Sequence, residues 1–342
     1  MYEIYNYLKS MPQTELERRW IGDRLSELSV KELLQLSAAT MRTDPKNGTD
    51  IVNCLLAMHD YKVCWPAGSY EALGEYYLQH EAALPSGAAP YVDTFRLGQL
   101  YEDAHPGLFV GECYVAYPEG PVYRPYDGTN LILPEDTDWS VKVKLASQSC
   151  PEGVWMRLPD YSLVNDGDPD EVKLALRELG VQSVADCTIL DAKCVLPEIG
   201  SLMEQYDDPA DLIYDGNNLG FVLDERGQGM LDFEERFAAA LEYEHCHTLK
   251  LALDISQNQN CYEIVSANEV QEYAREELEK TGFRPRDAPE IDECFDYQKY
   301  GEELLEQQGF ELNAAESTYI RRTGQDFHYE YTQPPREGMS MK

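Results

Sequence analysis

Few residues in this chain have the types and spacing that chemistry demands. His245-Cys246-His247 comes closest to a metal motif. Its two imidazoles would share one face of a strand, but no second Cys/His pair stands at a zinc-like spacing, and two ligands do not close a site. The other reading is a helix-to-strand junction with two ordinary histidines. Asp166, Asp168 and Asp170 fall at the first three ligand positions of a calcium loop. The glycine that such a loop needs is Glu171, its closing acid is Arg177, and Pro169 interrupts it. Helix capping accounts for the triplet better, with Asp168 as N-cap and Pro169 at the first helical position. Carboxylates are so abundant that no pair stands out as general acid and base. Nucleotide-binding, metalloprotease and nucleophile-elbow motifs are absent, and Gly227-Gln228-Gly229 reads as a turn fragment. The expectation is a protein that is not an enzyme and that uses no metal and no cofactor.

The chemistry that remains is a surface. Residues 295–306 read FDYQKYGEELLE: three aromatics, a glycine, four carboxylates and one lysine. Phe295, Tyr297 and Tyr300 are expected to anchor the segment by packing, and Gly301 to permit a tight turn or a close approach. Asp296, Glu302, Glu303 and Glu306 would face outward. A second acidic segment starts at Glu269. At ~100° per residue, Val270, Tyr273, Ala274 and Leu278 fall on one side of a helix. Glu269, Glu272, Glu276 and Glu279 fall on the other, within an arc of about 80°. At ~1.5 Å per residue that row carries one charge per ~5 Å. One DNA strand carries a phosphate per ~3.4 Å, and the duplex one per ~1.7 Å. Several such helices side by side would be needed to match a duplex. Further candidates are Glu204, Asp207, Asp208, Asp211 and Asp215, then Asp232, Glu234, Glu235, Glu242 and Glu244. Arg275 and Lys280 could neutralise part of the Glu269 row through i,i+3 and i,i+4 pairs. A solvated helix face is the competing reading of any single row.

Composition puts the weight on the sum of these rows. The 342 residues hold 63 Asp and Glu against 28 Lys and Arg, a formal net charge of -35, although only 27% of residues are charged. The sign balance is abnormal, and self-repulsion of this size opposes compaction. Residues 1–150 hold 21 acids and 12 bases, and residues 151–342 hold 42 and 16. The second part carries the excess. Solubility or salt adaptation would also enrich acids; a surface that must resemble a polyanion is the sharper reading. At 43% hydrophobic and 11% aromatic the chain can bury a core, which excludes a disordered acidic tail. Basic patches with interleaved aromatics are absent, so nucleic acid is not an expected partner. No signal-peptide core and no run near ~18 apolar residues is present, so a cytoplasmic protein without a membrane partner is expected. The nine cysteines, scattered without paired spacing, read as buried thiols.

The elements that would position these residues are α+β: an elongated, acidic, multi-domain chain with small mixed sheets and packed helices. Thr14–Glu17 and Ser29–Glu32 fit capping boxes ahead of apolar periodicity, with Val30, Leu33, Leu34 and Ala38 on one face. A further helix runs from Tyr70. Residues 107–125 and 139–146 alternate like strands. Residues 1–149 read as one domain of unassigned role, helical then β-rich. Residues 150–342 read as a second, subdivided near 195–200 and 262–268. In it, Val154–Leu158 is a strand, Val172, Leu176 and Leu179 stripe a helix ending at Gly180, and 187–192 is a strand. An acidic helical stretch covers 198–214, followed by a glycine-rich turn and a helix over 231–243. HTLKLALDIS reads as a strand. Ser266 and Glu269 fit a capping box, and STYIRR with DFHYEY reads as a hairpin around Thr323-Gly324.

With these pieces in order, residues from about 150 to 325 resemble the ArdA antirestriction family. GVWMRLP with Trp155, followed by DEVKLALRELG, is similar to its opening strand and first helix, and ILDA to its next strand. EVQEYAREELEKTG is similar to its acidic helix. Asp296, Tyr297, Tyr300, Gly301 and Leu304 match its D-Y-x-x-Y-G-x-x-L signature. Glu302-Glu303 replaces the family's frequent Arg-Asp, LIYDGNNLGFVLDERGQG looks inserted, and residues 1–150 have no counterpart. The resemblance implies an elongated homodimer that mimics B-form DNA, carried by mobile elements. It would occupy the DNA-binding groove of a type I restriction–modification methyltransferase or nuclease. Inhibition of another DNA-targeting defence system, such as a CRISPR effector, is an alternative expectation. An acidic hydrolase using a carboxylate pair is the other.

Overall fold

The computed structural model describes residues 8, 10–82, 84, 88–129, 133, 136, 138–161, 171–229, 232–282, 292, 294–313 and 317–333, without the side chains of 225–229. The fold is α+β, with helices around three small antiparallel-type sheets. It divides into two compact units. One comprises Met1–Lys193 with Asp207–Ile213, the other Cys194–Tyr206 with Tyr214–Lys342.

The first unit contains the helices α1 (Glu15–Ser26), α2 (Val30–Thr43) and α3 (Gly48–Ala57). Both expected capping boxes form, at Thr14–Glu17 and Ser29–Glu32. They satisfy backbone donors that a first helical turn otherwise leaves unpaired. Leu36, Ala38, Ile51, Leu55 and Met58 are buried in the resulting core. β1 (Lys62–Cys64), α4 (Tyr70–His80), α5 (Thr94–Ala104), β2 (Gly107–Val110) and β3 (Cys113–Ala116) follow. The three strands order as β1-β3-β2. α4 and α5 cross closely: a Cβ on Gly74 would lie 1.9 Å from the Thr94 carbonyl oxygen, and one on Gly98 2.0 Å from that of Tyr70.

A second sheet, ordered β5-β4-β6, is built from β4 (Val141–Ala146), β5 (Val154–Leu158) and β6 (Thr188–Cys194), with α6 (Glu171–Leu179) between the last two. β4 and β5 pair from Val141–Leu158 to Leu145–Val154. Residues 147–152, where composition suggests a domain boundary, are the turn of this hairpin; the compact units part after Lys193 instead. α6 ends at Gly180 with φ 68°, as its C-cap position demands. Its buried stripe is Leu174, Ala175 and Leu179, with Val172 and Leu176 half-buried.

The second unit holds α7 (Leu202–Gln205), most of α8 (Pro209–Gly229), α9 (Phe233–Tyr243), α10 (Leu249–Gln257), β7 (Tyr262–Ser266), α11 (Val270–Lys280), α12 (Tyr297–Gln307), β8 (Glu311–Asn313) and β9 (Thr318–Arg322). Four expectations fail here. The glycine-rich stretch after Tyr214 is helical, part of the 21-residue α8. HTLKLALDIS is α10, capped by Thr248, with Leu249, Ala252, Leu253 and Ser256 buried at helical spacing. β9 pairs with β7 and β8, not with DFHYEY. The Ser266–Glu269 capping box also does not form. Ser266 Oγ takes the Asn268 amide at 3.4 Å in a 3-10 turn, and α11 starts one turn later.

Candidate functional site

The acidic surface is carried by α11 and α12, which pack against each other. Tyr297, Gly301 and Leu305 form the buried stripe of α12, and Val270 and Ala274 that of α11. The glycine is needed for the approach: a Cβ at 301 would lie 2.6 Å from both Val270 Cγ1 and the Val270 carbonyl oxygen. Asp296 caps α12 by accepting the Lys299 amide at 3.0 Å. Phe295 stacks edgewise on Tyr300, with centroids 5.3 Å apart, and tilts on Tyr297 at 4.8 Å. The Tyr297 hydroxyl donates to Asp292 at 2.6 Å. Leu304 is half-buried. The aromatics of this segment therefore fix it from within.

The carboxylates face out. Glu272, Glu276 and Glu279 are exposed on α11, opposite Val270 and Ala274, as their spacing predicts, and Glu269 is exposed at its N-cap. On α12, Asp296, Glu303 and Glu306 are exposed, and Glu302 is half-buried, accepting from Gln298 at 2.8 Å. The two cations spaced to reach the Glu269 row, Arg275 and Lys280, make ion pairs off it. Arg275 pairs with Asp292 at 2.9 Å and lies 3.9 Å over the Tyr297 ring. Lys280 pairs at 2.6 Å with Glu277, which lies off the row.

Other candidates divide by place. Glu234, Glu235 and Glu242 are exposed on α9, with Asp232 just before it, and Glu204 is exposed on α7. Asp207, Asp208 and Asp211 are exposed, but belong to the first unit. Asp215 is no surface group. It is 3% exposed and accepts the Tyr206 hydroxyl at 2.7 Å. Because residues 214–224 are helical, Asp215 falls on the buried side with Leu212 and Leu219. Glu244 is a structural tie: half-buried, it holds Arg322 at 2.6 Å and the Tyr262 hydroxyl at 3.0 Å. Trp155 is buried, with its backbone bridged to Ser29, so its role is packing.

Among the described residues, His245 and His247 belong to no group of three side chains placed to hold a metal ion. His245 sits at the C-terminal end of α9 with φ 48°, and His247 Nδ1 faces the Glu198 carbonyl at 3.4 Å. Among the described residues no three His, Cys, Asp or Glu side chains are placed to hold a metal ion. Asp166, Asp168, Pro169 and Asp170 lie outside the described residues. A cavity of about 420 Å³ opens beside β9, lined by Tyr243, Gln308, Arg321 and Arg322 among others. Both arginines are tied to carboxylates, Arg321 to Glu263 at 2.5 Å and Arg322 to Glu244.

The first unit hides a charge cluster with no sequence signature. Glu32, 1% exposed, takes Arg24 at 2.7 Å, Arg157, and the Ser29 amide at 2.9 Å. Asp136 takes Arg24 at 2.6 Å, Arg157 at 2.8 Å and Lys142 at 2.8 Å. Burial alone would raise both carboxyl pKa values; the guanidinium charges overcome it and hold both below the usual carboxylate range. Burial and Arg157 push the nearby His59 down. The partners lie far apart in sequence, so only the fold assembles them. Their chemistry is structural: they pin part of the connection between β3 and β4.

No protein-family model, no curated protein and no solved structure matches the chain. No helix among the described residues is long and apolar enough to cross a membrane.

Proposed function

We propose that the protein is a DNA mimic. The carboxylate-bearing helices of its second unit occupy the DNA-binding groove of a DNA-targeting enzyme and inhibit it. The ArdA resemblance points to a type I restriction–modification enzyme, and to a homodimer that would double the length of the acidic surface.

The observation that carries this reading is the outward row Glu269, Glu272, Glu276 and Glu279 on a helix packed against a second one that exposes Glu303 and Glu306. Duplex-binding proteins gain much of their affinity from Lys and Arg contacts to phosphates and the counterions these release. Carboxylates held on packed helices can engage the same side chains without a cofactor and without sequence readout.

The test is inhibition of a purified type I enzyme across a salt titration, for the wild type and for a variant with Glu269, Glu272, Glu276 and Glu279 all changed to Gln. Wild-type affinity should fall steeply with salt. The variant should bind more weakly, with a log–log salt slope shallower by up to ~0.9 per carboxylate removed. Affinity that is the same at low and high salt, or that the four substitutions leave unchanged, refutes mimicry through this surface.

A further inference from the structure

Glu171 opens α6 where a carboxylate is poorly served. The residue is 6% exposed. Its Oε1 accepts the Ser29 hydroxyl at 3.1 Å, and its buried Oε2 has no hydrogen-bond partner among the described residues. Ser29 is the N-cap of α2, so the first residue of α6 is seated on the first turn of α2.

The charges around it offer little compensation. From α2 come Lys31 and Glu32, and Glu32 is in turn contacted by Arg24 and His59. From β5 comes Arg157, and just beyond it Asp160, whose carboxylate accepts the Val172 amide at 3.1 Å. Arg24 and Arg157 are committed to Glu32 and Asp136. On α6 itself, Lys173 is exposed and Arg177 reaches Glu112 at 2.9 Å. An ionised Glu171 therefore adds a second buried negative charge close to Glu32, with one oxygen unserved.

We propose that Glu171 is a pH-operated latch: protonated, it docks the first turn of α6 on α2, and ionised, it loosens that seat. Burial, with Glu32 and Asp160 as like charges, pushes its pKa up to about 8, against the pull of Lys31 and the Ser29 hydroxyl. The folded state then holds one proton more than the unfolded state between the ordinary 4.5 and about 8. Docking is strongest at low pH, weakens about tenfold per pH unit through that window, and levels off above it.

Two measurements on the full-length chain test the latch. Carbon-13 titration of the Glu171 carboxyl should show a midpoint near 8; a midpoint below ~6, within reach of the ordinary carboxylate range, overturns the proposal. Hydrogen exchange of the α6 amides, corrected for intrinsic rates, should lose at least tenfold protection between pH ~6.5 and ~8.5 in the wild type. In Glu171→Gln, which keeps the shape and removes the titration, protection should change by less than about threefold. Equal loss in both proteins overturns the latch.

Discussion

At the scale of the residue, type alone does not decide exposure. The Glu269 row is outside because Val270 and Ala274 claim the other side of its helix. Asp215 and Asp254 are inside because neighbouring groups satisfy them: Asp254 is 0% exposed and accepts the Glu330, Tyr331 and Thr332 amides at 2.8, 2.9 and 2.9 Å. Gly301 is the residue on which the acidic surface depends most directly without carrying charge. An alanine there must push Val270 or its backbone away from a 2.6 Å contact, and both lie in a packed helix. Overpacking of this kind costs about 1–3 kcal/mol. Gly301→Ala should therefore lower the denaturation midpoint of the second unit, and should weaken target inhibition although every carboxylate remains. Chemical denaturation followed by a probe in that unit checks the first effect; an unchanged midpoint would show that α11 and α12 can separate freely.

At the scale of the element, the second unit is closed by a segment without helix or strand. After β9 the chain runs along α10, where Asn258 exchanges hydrogen bonds with the His328 amide and carbonyl, both at 2.8 Å, and Asp254 collects the three amides that follow. Asp254→Ala strands those donors, each worth ~1–3 kcal/mol when left unpaired and buried. The expected result is rapid proteolytic cleavage within 324–333 and a loss of about 3 kcal/mol or more in stability. Resistance to protease equal to the wild type would mean that the segment is held by other contacts. This seat also explains why α10 is hard to read. Leu249, Leu251, Leu253 and Ile255 alternate as in a strand, and Asp254 looks like an outward residue. Only the distant segment makes a buried aspartate acceptable, and with it the helical stripe Leu249, Ala252, Leu253 and Ser256. α8 is obscured similarly. Its glycines lower helix propensity by ~1 kcal/mol each relative to alanine, and packing overrides that. By contrast α1 and α2 are legible because caps and 3.6-residue periodicity lie within the segment itself, and α11 by its periodicity alone. The acidic face of α11 is legible for the same reason, whereas the Glu32–Arg157 cluster, 125 residues apart, is not.

At the scale of the whole molecule, one quantity acts in opposite directions on folding and on the proposed binding. A net charge of -35 makes the compact state repel itself. Carboxylates spaced by ~5 Å along a helix feel one another within the ~10 Å screening length of 0.1 M salt, which shrinks to ~3 Å at 1 M. Added salt should therefore stabilise the fold by relieving repulsion among exposed acids. The buried pairs of Arg24, Arg157 and Lys142 are screened far less. Target binding should respond the other way, because salt removes the counterion release that drives it. The thermal midpoint should rise between about 0.05 and about 0.5 M sodium chloride while inhibition weakens over the same range. Parallel thermal scans and inhibition titrations in matched buffers check both signs. A midpoint that falls with salt would mean that the ion pairs outweigh the repulsion, leaving the excess of acids without the energetic penalty that a functional role would have to offset.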